Sequence, residues 1–171
     1  NVTPSDKFLA KGIRQIAEMV EGAFANGVPV VAFNAAFDFT VLDRECRRVG
    51  VEGPDPSLGV VIDPHVIDKA VDRFRRGKRT LGATCQHYGI DLGEAHDATA
   101  DALGAARLAY KLAARYPAEV GERTPAEMHA LQVDWRAQQS ASLQEYFERQ
   151  GKREVVDGSW PYRPLAAGVA S

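Results

Sequence analysis

Leu9, Ile13, Ile16, Val20 and Phe24 recur three and four residues apart, the spacing of one helical face. Thr3 is placed to cap that helix, with Pro4 in its first turn and Asp6 reaching back, and Gly27 ends it. The pattern then changes. Residues 28–33 form a continuous apolar run rich in valine, which predicts a strand buried on both faces. Asn34 is placed to cap a second helix whose face is Phe37, Val41, Leu42, Cys46 and Val49, with Gly50 closing it. Residues 53–56 read as a loop, 59–62 as a second short buried strand, and Asp63-Pro64 as the start of a third helix through Phe74. A short helix over 80–88 ends at Gly89, and a long one runs over 98–116. Past Pro117 the character shifts. Thr124-Pro125-Ala126-Glu127 has the form of a capping box, and Met128, Leu131, Trp135, Ser142 and Tyr146 follow on one helical face up to Gly151. The rest, through Trp160-Pro161-Tyr162, is an irregular tail that either folds back on the core or binds a partner. The expected division is therefore 1–117 and 118–171.

Two strands buried on both faces are the pattern of a parallel α/β sheet, yet two alone leave their hydrogen-bonding edges unpaired. The pattern thus predicts an α/β fold whose further strands come from upstream residues or from another chain, with a fragment the simpler reading. The first residue, Asn1 rather than methionine, agrees with that expectation. With 171 residues, 45% of them hydrophobic, the chain has enough apolar surface for one sizeable core. A formal net charge of −2 gives no global attraction to nucleic acid, so any such contact needs a local basic patch. Cys46 and Cys85 are far apart and read as buried reduced thiols. No apolar run is long enough to span a membrane and no signal-peptide pattern is present, so a cytoplasmic protein is expected.

One position breaks the apolar patterning in an informative way. Asp101 lies on the same stripe as Ala105, Leu108 and Leu112, the face that should meet a core. A carboxylate there is costly unless a cation pairs with it, and no lysine or arginine lies one turn away on that face. A metal ion is the obvious partner, and His96, five residues upstream, is a candidate base. A second carboxylate, Asp38, falls in the first turn of the helix that follows a strand end, where ligands tend to bind in open α/β sheets. Read alone, Asn34 is simply a cap and Asp38 a favourable first-turn charge.

Together, Asn34, Ala35, Phe37 and Asp38 with Leu42, then His96, Ala98, Asp101 and Ala102, closely resemble the second and third motifs of the DEDD superfamily of 3′–5′ exonucleases. The histidine five before the final aspartate is similar to the subgroup that includes the proofreading subunits of bacterial DNA polymerase III. Val61-Ile62-Asp63, Leu81 and the Tyr88-Gly89-Ile90 turn fit between the two motifs, and the resemblance covers residues 1–115. It implies a ribonuclease-H-like fold and two divalent cations, Mg²⁺ or Mn²⁺, held by four acidic residues. Asp38 and Asp101 would be two of the four ligands, and His96 would take a proton from the attacking water. The product would be a nucleoside 5′-monophosphate from the 3′ end of single-stranded DNA or RNA, with a DNA polymerase as a candidate partner. Carboxylates about 4 Å apart repel by roughly 4 kcal/mol at an effective dielectric near 20, so such a site needs cations to assemble.

The chain departs from the family in one large respect: the first motif, an aspartate and a glutamate two residues apart on a central strand, is absent. The sequence as given therefore supplies half of the implied ligands. Phe33 stands where many relatives have histidine, and Asp97 replaces a common arginine, adding negative charge beside His96. Asn34 and Phe37 are candidates to hold the terminal nucleotide. Arg73, Arg75, Arg76, Lys78 and Arg79 cluster between two helices; Arg76, Lys78 and Arg79 either track the backbone of a single strand or form a solvated loop. His65, His87 and His129 read as surface or helix-end residues, and Trp135 as core packing. Two further readings stay open, a catalytically inactive nucleic-acid-binding or scaffold module and a phosphohydrolase acting on small nucleotides.

Overall fold

The computed structural model describes residues 4–93 and 97–165. Helix α1 spans Pro4–Ala25 and ends at Gly27, whose φ of 65° suits a residue without a side chain. The strands are β1 (Val30–Val31) and β2 (Val61–Ile62), which pair in parallel with Val30 opposite Val61 and Val31 opposite Ile62. Between them runs α2 (Ala35–Arg48), and a short 3₁₀ turn, Pro56–Leu58, occupies the expected loop. Helices α3 (Pro64–Val71), α4 (Leu81–His87) and α5 (Ala98–Arg115) follow. A π-helical turn over Pro117–Gly121 leads into α6 (Pro125–Arg149). The Thr124–Glu127 capping box at the head of α6 forms as its residue types require, each side chain bonding the other's backbone N–H. Among the described residues no helix is long and apolar enough to cross a membrane.

Three apolar clusters hold the elements together. Phe24, Phe39, Val61, Val66 and Trp160 join α1, α2 and the strands to the C-terminal tail. Ile67, Cys85, Tyr88, Leu108, Leu112 and Met128 join α3, α4, α5 and α6. Ile13, Ala17, Cys46 and Val51 tie α1 to the end of α2. Trp135 of α6 packs against the first two clusters at once, as core packing would have it. Both cysteines are buried and neither is in a disulfide.

The ribonuclease-H-like α/β fold is not what these residues build. The described chain is mostly helical, with about 63% helix, 3% strand and a single two-stranded sheet. Most contacts between elements are helix on helix, and on the far side of β2 the neighbour is α6 where a sheet would continue with a strand. The side chains of α6 reach that edge: Val61 N–H donates to His129 Nδ1 (3.0 Å), and Gln132 Nε2 donates to the Val61 carbonyl (3.1 Å). Asp63 N–H donates to Gln132 Oε1 at 2.6 Å. A glutamine amide presents one donor and one acceptor at the spacing of a peptide group, so the edge is satisfied without a third strand.

Candidate functional site at the strand ends

Both parallel strands run into a helix at the same end of the sheet, and the two turns there are tied by one carboxylate. Asp63 caps α3 by accepting the His65 N–H on Oδ1 at 2.9 Å. The same oxygen accepts the Asn34 N–H at 2.8 Å, and Oδ2 accepts the Ala35 N–H at 2.9 Å. The Trp160 indole N–H points at Oδ2 from the tail, 3.3 Å away. Burial raises the Asp63 pKa, and the N–H donors of Asn34, Trp160, Ala35 and His65 pull against that rise. Among the described residues the hydrogen-bond partners of the two oxygens are all donors, which favour the charged form against the cost of burial.

Asn34 occupies the capping position of α2 but does not cap it. Its backbone is left-handed (φ 66°, ψ 47°), and its side chain makes no capping hydrogen bond. Asp63, from the neighbouring strand, takes the free amides at the start of the helix instead. The Asn34 side chain is thereby left on the exposed surface at the strand ends.

Asp38 lies in the first turn of α2, where the helix dipole favours an anion. Partial burial and then the charge of Asp63 raise its pKa, against a lowering hydrogen bond from its own backbone. Asp101 is half-buried in the first turn of α5, on the stripe that buries Ala105, Leu108 and Leu112. Burial and then the Asp101 charge raise the pKa of the Cys85 thiol. Helix α5 packs against β1, the strand that α2 follows in the chain. Neither carboxylate has an ion-pair partner among the described residues. Phe37 is 64% exposed beside Asp38. His96 lies outside the described residues.

The basic cluster divides. Arg79 turns inward and donates to the fully buried Asp68 (2.7 Å), which also takes hydrogen bonds from Arg75 and from the Tyr88 hydroxyl. Arg76 and Lys78 stay exposed on the loop between α3 and α4.

No protein-family model, curated protein or solved structure matches this chain. The chemistry of the site must therefore be argued from its own residues. Oxygen ligands without cationic partners suit hard divalent cations such as Mg²⁺ or Mn²⁺. Among the described residues, however, no three histidine, cysteine, aspartate or glutamate side chains converge to hold a metal ion. Asp38 and Asp101 alone therefore do not make up a cation site among the described residues.

Several participants were invisible in the sequence. Asp63 reads there as a helix start, and its bonds to Asn34 and Ala35 span 29 and 28 residues. His65 stacks at a tilt on Phe33 (ring centroids 5.1 Å apart), and burial lowers its pKa to about 4, with help from the charges of Lys69 and Arg136. Gln132 carried the one available signal: it is a polar residue between Met128 and Trp135 on the apolar stripe of α6, the same signal that singled out Asp101.

Proposed function

We propose that the chain is a metal-dependent 3′–5′ exonuclease acting on single-stranded DNA or RNA, with Asp38 and Asp101 as ligands for Mg²⁺ or Mn²⁺ and His96 as the base. The observation that carries the reading is the pair of carboxylates Asp38 and Asp101. Asp38 stands in the first turn of α2, which follows β1 in the chain, and Asp101 in the first turn of α5, which packs against β1; neither has an ion-pair partner among the described residues. The resemblance of the surrounding residues to the exonuclease motifs supports the same chemistry. Divalent cations would supply an activated water and neutralise the charge that develops on the scissile phosphate.

The residues of the chain have separate tasks. Asp63 fixes the turn at Asn34 and so presents the Asn34 side chain and the first turn of α2 to the 3′-terminal nucleotide. Phe37, exposed beside Asp38, offers a ring face for a base to stack on. The raised pKa of Asp38 marks a carboxylate whose negative charge is poorly compensated within the chain, and a cation would supply that compensation. A polymerase partner rests on the resemblance alone.

A second reading has its own observation: with no three-ligand cluster among the described residues, a nucleic-acid-binding module without hydrolysis also fits. Degradation of a 5′-labelled single-stranded oligomer in Mn²⁺ separates the two. Stepwise shortening from the 3′ end, abolished by EDTA and lowered at least about a hundredfold in Asp38→Asn and Asp101→Asn, is the expected result, since even groups one layer behind a metal cost about ten- to a hundredfold. A folded wild-type chain that binds the oligomer without shortening it would replace the exonuclease with the binding module.

A further inference from the structure

Helix α1 buries one face and leaves a second apolar face open. Ile13, Ala17 and Phe24 pack inward, whereas Phe8 is 82% exposed, Met19 75% and Ile16 52%. With Gly12 and Ala23, these exposed residues recur at helical spacing and make one stripe along the helix. The stripe borders the apolar hollow between α1 and α2, whose walls include Ile16 and Val20 of α1 and Phe39, Val41 and Leu42 of α2. Val41 is itself exposed, so the apolar surface runs on from one helix to the next. Single apolar residues on a surface are ordinary, but a continuous patch marks an interaction site.

Two features of the stripe say what covers it. The first is Gly12, which lies inside the helix, where glycine is less favourable than alanine. A Cβ at this position would meet no atom within 4 Å, so nothing in the chain's own packing calls for a glycine. Its bare backbone leaves room for a side chain of another molecule. The second feature is charge. Past the first turn, Lys7, Lys11 and Arg14 come first along α1 and Glu18 and Glu21 come last. All five are exposed, and none has an ion-pair partner among the described residues. At helical spacing Lys11 and Glu18 border the stripe on the side away from the hollow.

Two copies of α1 laid antiparallel, in a register centred near Arg14, bring these features together. Lys11 of one copy then faces Glu18 of the other, and Gly12 faces Ile16. Phe8 comes opposite Val20, at the mouth of the hollow. A parallel pair would instead set Lys11 against Lys11 and Glu18 against Glu18. Each half of α1 thus carries the complement of the other half, as a two-fold contact between identical surfaces requires. We propose that the exposed face of α1 is a homodimer interface, with the two α1 helices antiparallel and Phe8 of each copy seated in the α1–α2 hollow of the other. The proposal does not rest on the exonuclease reading.

Sedimentation equilibrium over about 1 µM to 0.5 mM tests the interface, since mass action makes a dimer depend on concentration. The wild-type chain should pass from monomer to dimer within that range. Met19→Glu and Gly12→Gln should each weaken association at least about tenfold, as expected for positions at the centre of a contact. Thermal melts at the lowest concentration report whether the monomer remains folded. Gly12→Gln should not lower Tm there, because its side chain meets open space and glutamine favours the helix. Lys11→Glu alone and Glu18→Lys alone should weaken the dimer about threefold or more, the two-fold axis doubling the small effect of one exposed pair. The Lys11→Glu/Glu18→Lys double variant should recover it, because the exchange keeps opposite signs face to face. Arg76→Gln, on the loop between α3 and α4, should change nothing. A wild-type chain that stays monomeric throughout would overturn the proposal and leave the stripe to a different partner. A dimer undisturbed by Met19→Glu in folded protein would overturn it as well, placing the contact elsewhere. Failure of the double variant to recover what the single variants lose would overturn the antiparallel arrangement.

Discussion

Asn34 holds a conformation that L-residues with a side chain adopt at a cost of about 1–2 kcal/mol, with asparagine among the most tolerant. No capping bond from its own side chain repays that cost; the carboxylate of Asp63, gripping the amides on either side of the Asn34–Ala35 bond, holds the turn in place. Asn34→Gly should therefore keep or slightly raise stability in urea denaturation, while Asn34→Ala should lose roughly 1 kcal/mol. Equal midpoints for the two variants would show that the left-handed turn stores no strain. The sequence made Asn34 and Asp38 legible because their cues are local, a polar residue and an acid at a strand-to-helix junction. It hid Asp63 because Asp-Pro has a complete local explanation as a helix start. Nothing in its neighbours announces bonds to residues on another strand.

At the scale of elements, helices were readable and their neighbours were not. Proline in the first turn, threonine at the cap and glycine after the last turn act within a few residues. The ends of α1, α4, α5 and α6 accordingly fall close to where these signals put them. Which face each helix buries depends on the partner. Phe37 and Val41 of α2 stay exposed while Phe39 is buried, and Ser142 and Tyr146 of α6 face outward beyond the segment that covers β2. The contact of α6 with β2 yields a sharp test. Gln132→Leu conserves bulk but strips partners from the Val61 carbonyl and the Asp63 N–H, both buried. The expected loss is about 2–4 kcal/mol, from roughly 1–3 kcal/mol for each orphaned group. Chemical denaturation measures it, and a loss below about 0.5 kcal/mol would mean that the edge finds other partners.

For the molecule as a whole, the apolar runs over 28–33 and 59–62 suggested a sheet, and the structure answers with two residues of pairing in each. Runs of valine specify burial, whereas strand count depends on what else is present to pair. Beside β1, an apolar hollow of about 320 Å³ opens between α1 and α2, lined by Ile13, Ile16, Val20, Phe39 and Leu42. Global stability should also carry the signature of His65. Its pKa of about 4 in the fold is below the usual 6.5, so the unfolded chain binds the proton more readily in that interval. Its contribution is complete above pH 6.5 and is lost as the pH falls towards 4. Compared with His65→Gln, the wild-type chain should lose an additional 1–3 kcal/mol, roughly, across that window, allowing for partial solvent screening. Parallel stability–pH curves for the two chains would assign the acid sensitivity to other groups.

The four donors around Asp63 also impose an order on biosynthesis. The strand-end turn needs Asn34 and Ala35, the start of α3 and the indole of Trp160, and Gln132 must arrive to hold the Asp63 amide. A ribosome adding about 5–20 residues each second delivers Trp160 many seconds after Asn34. During that interval β1, α2 and α3 can already exist, but the carboxylate between them lacks its last donor and β2 its cover. The region proposed to handle nucleic acid would thus mature late, completed only after Trp160 has emerged.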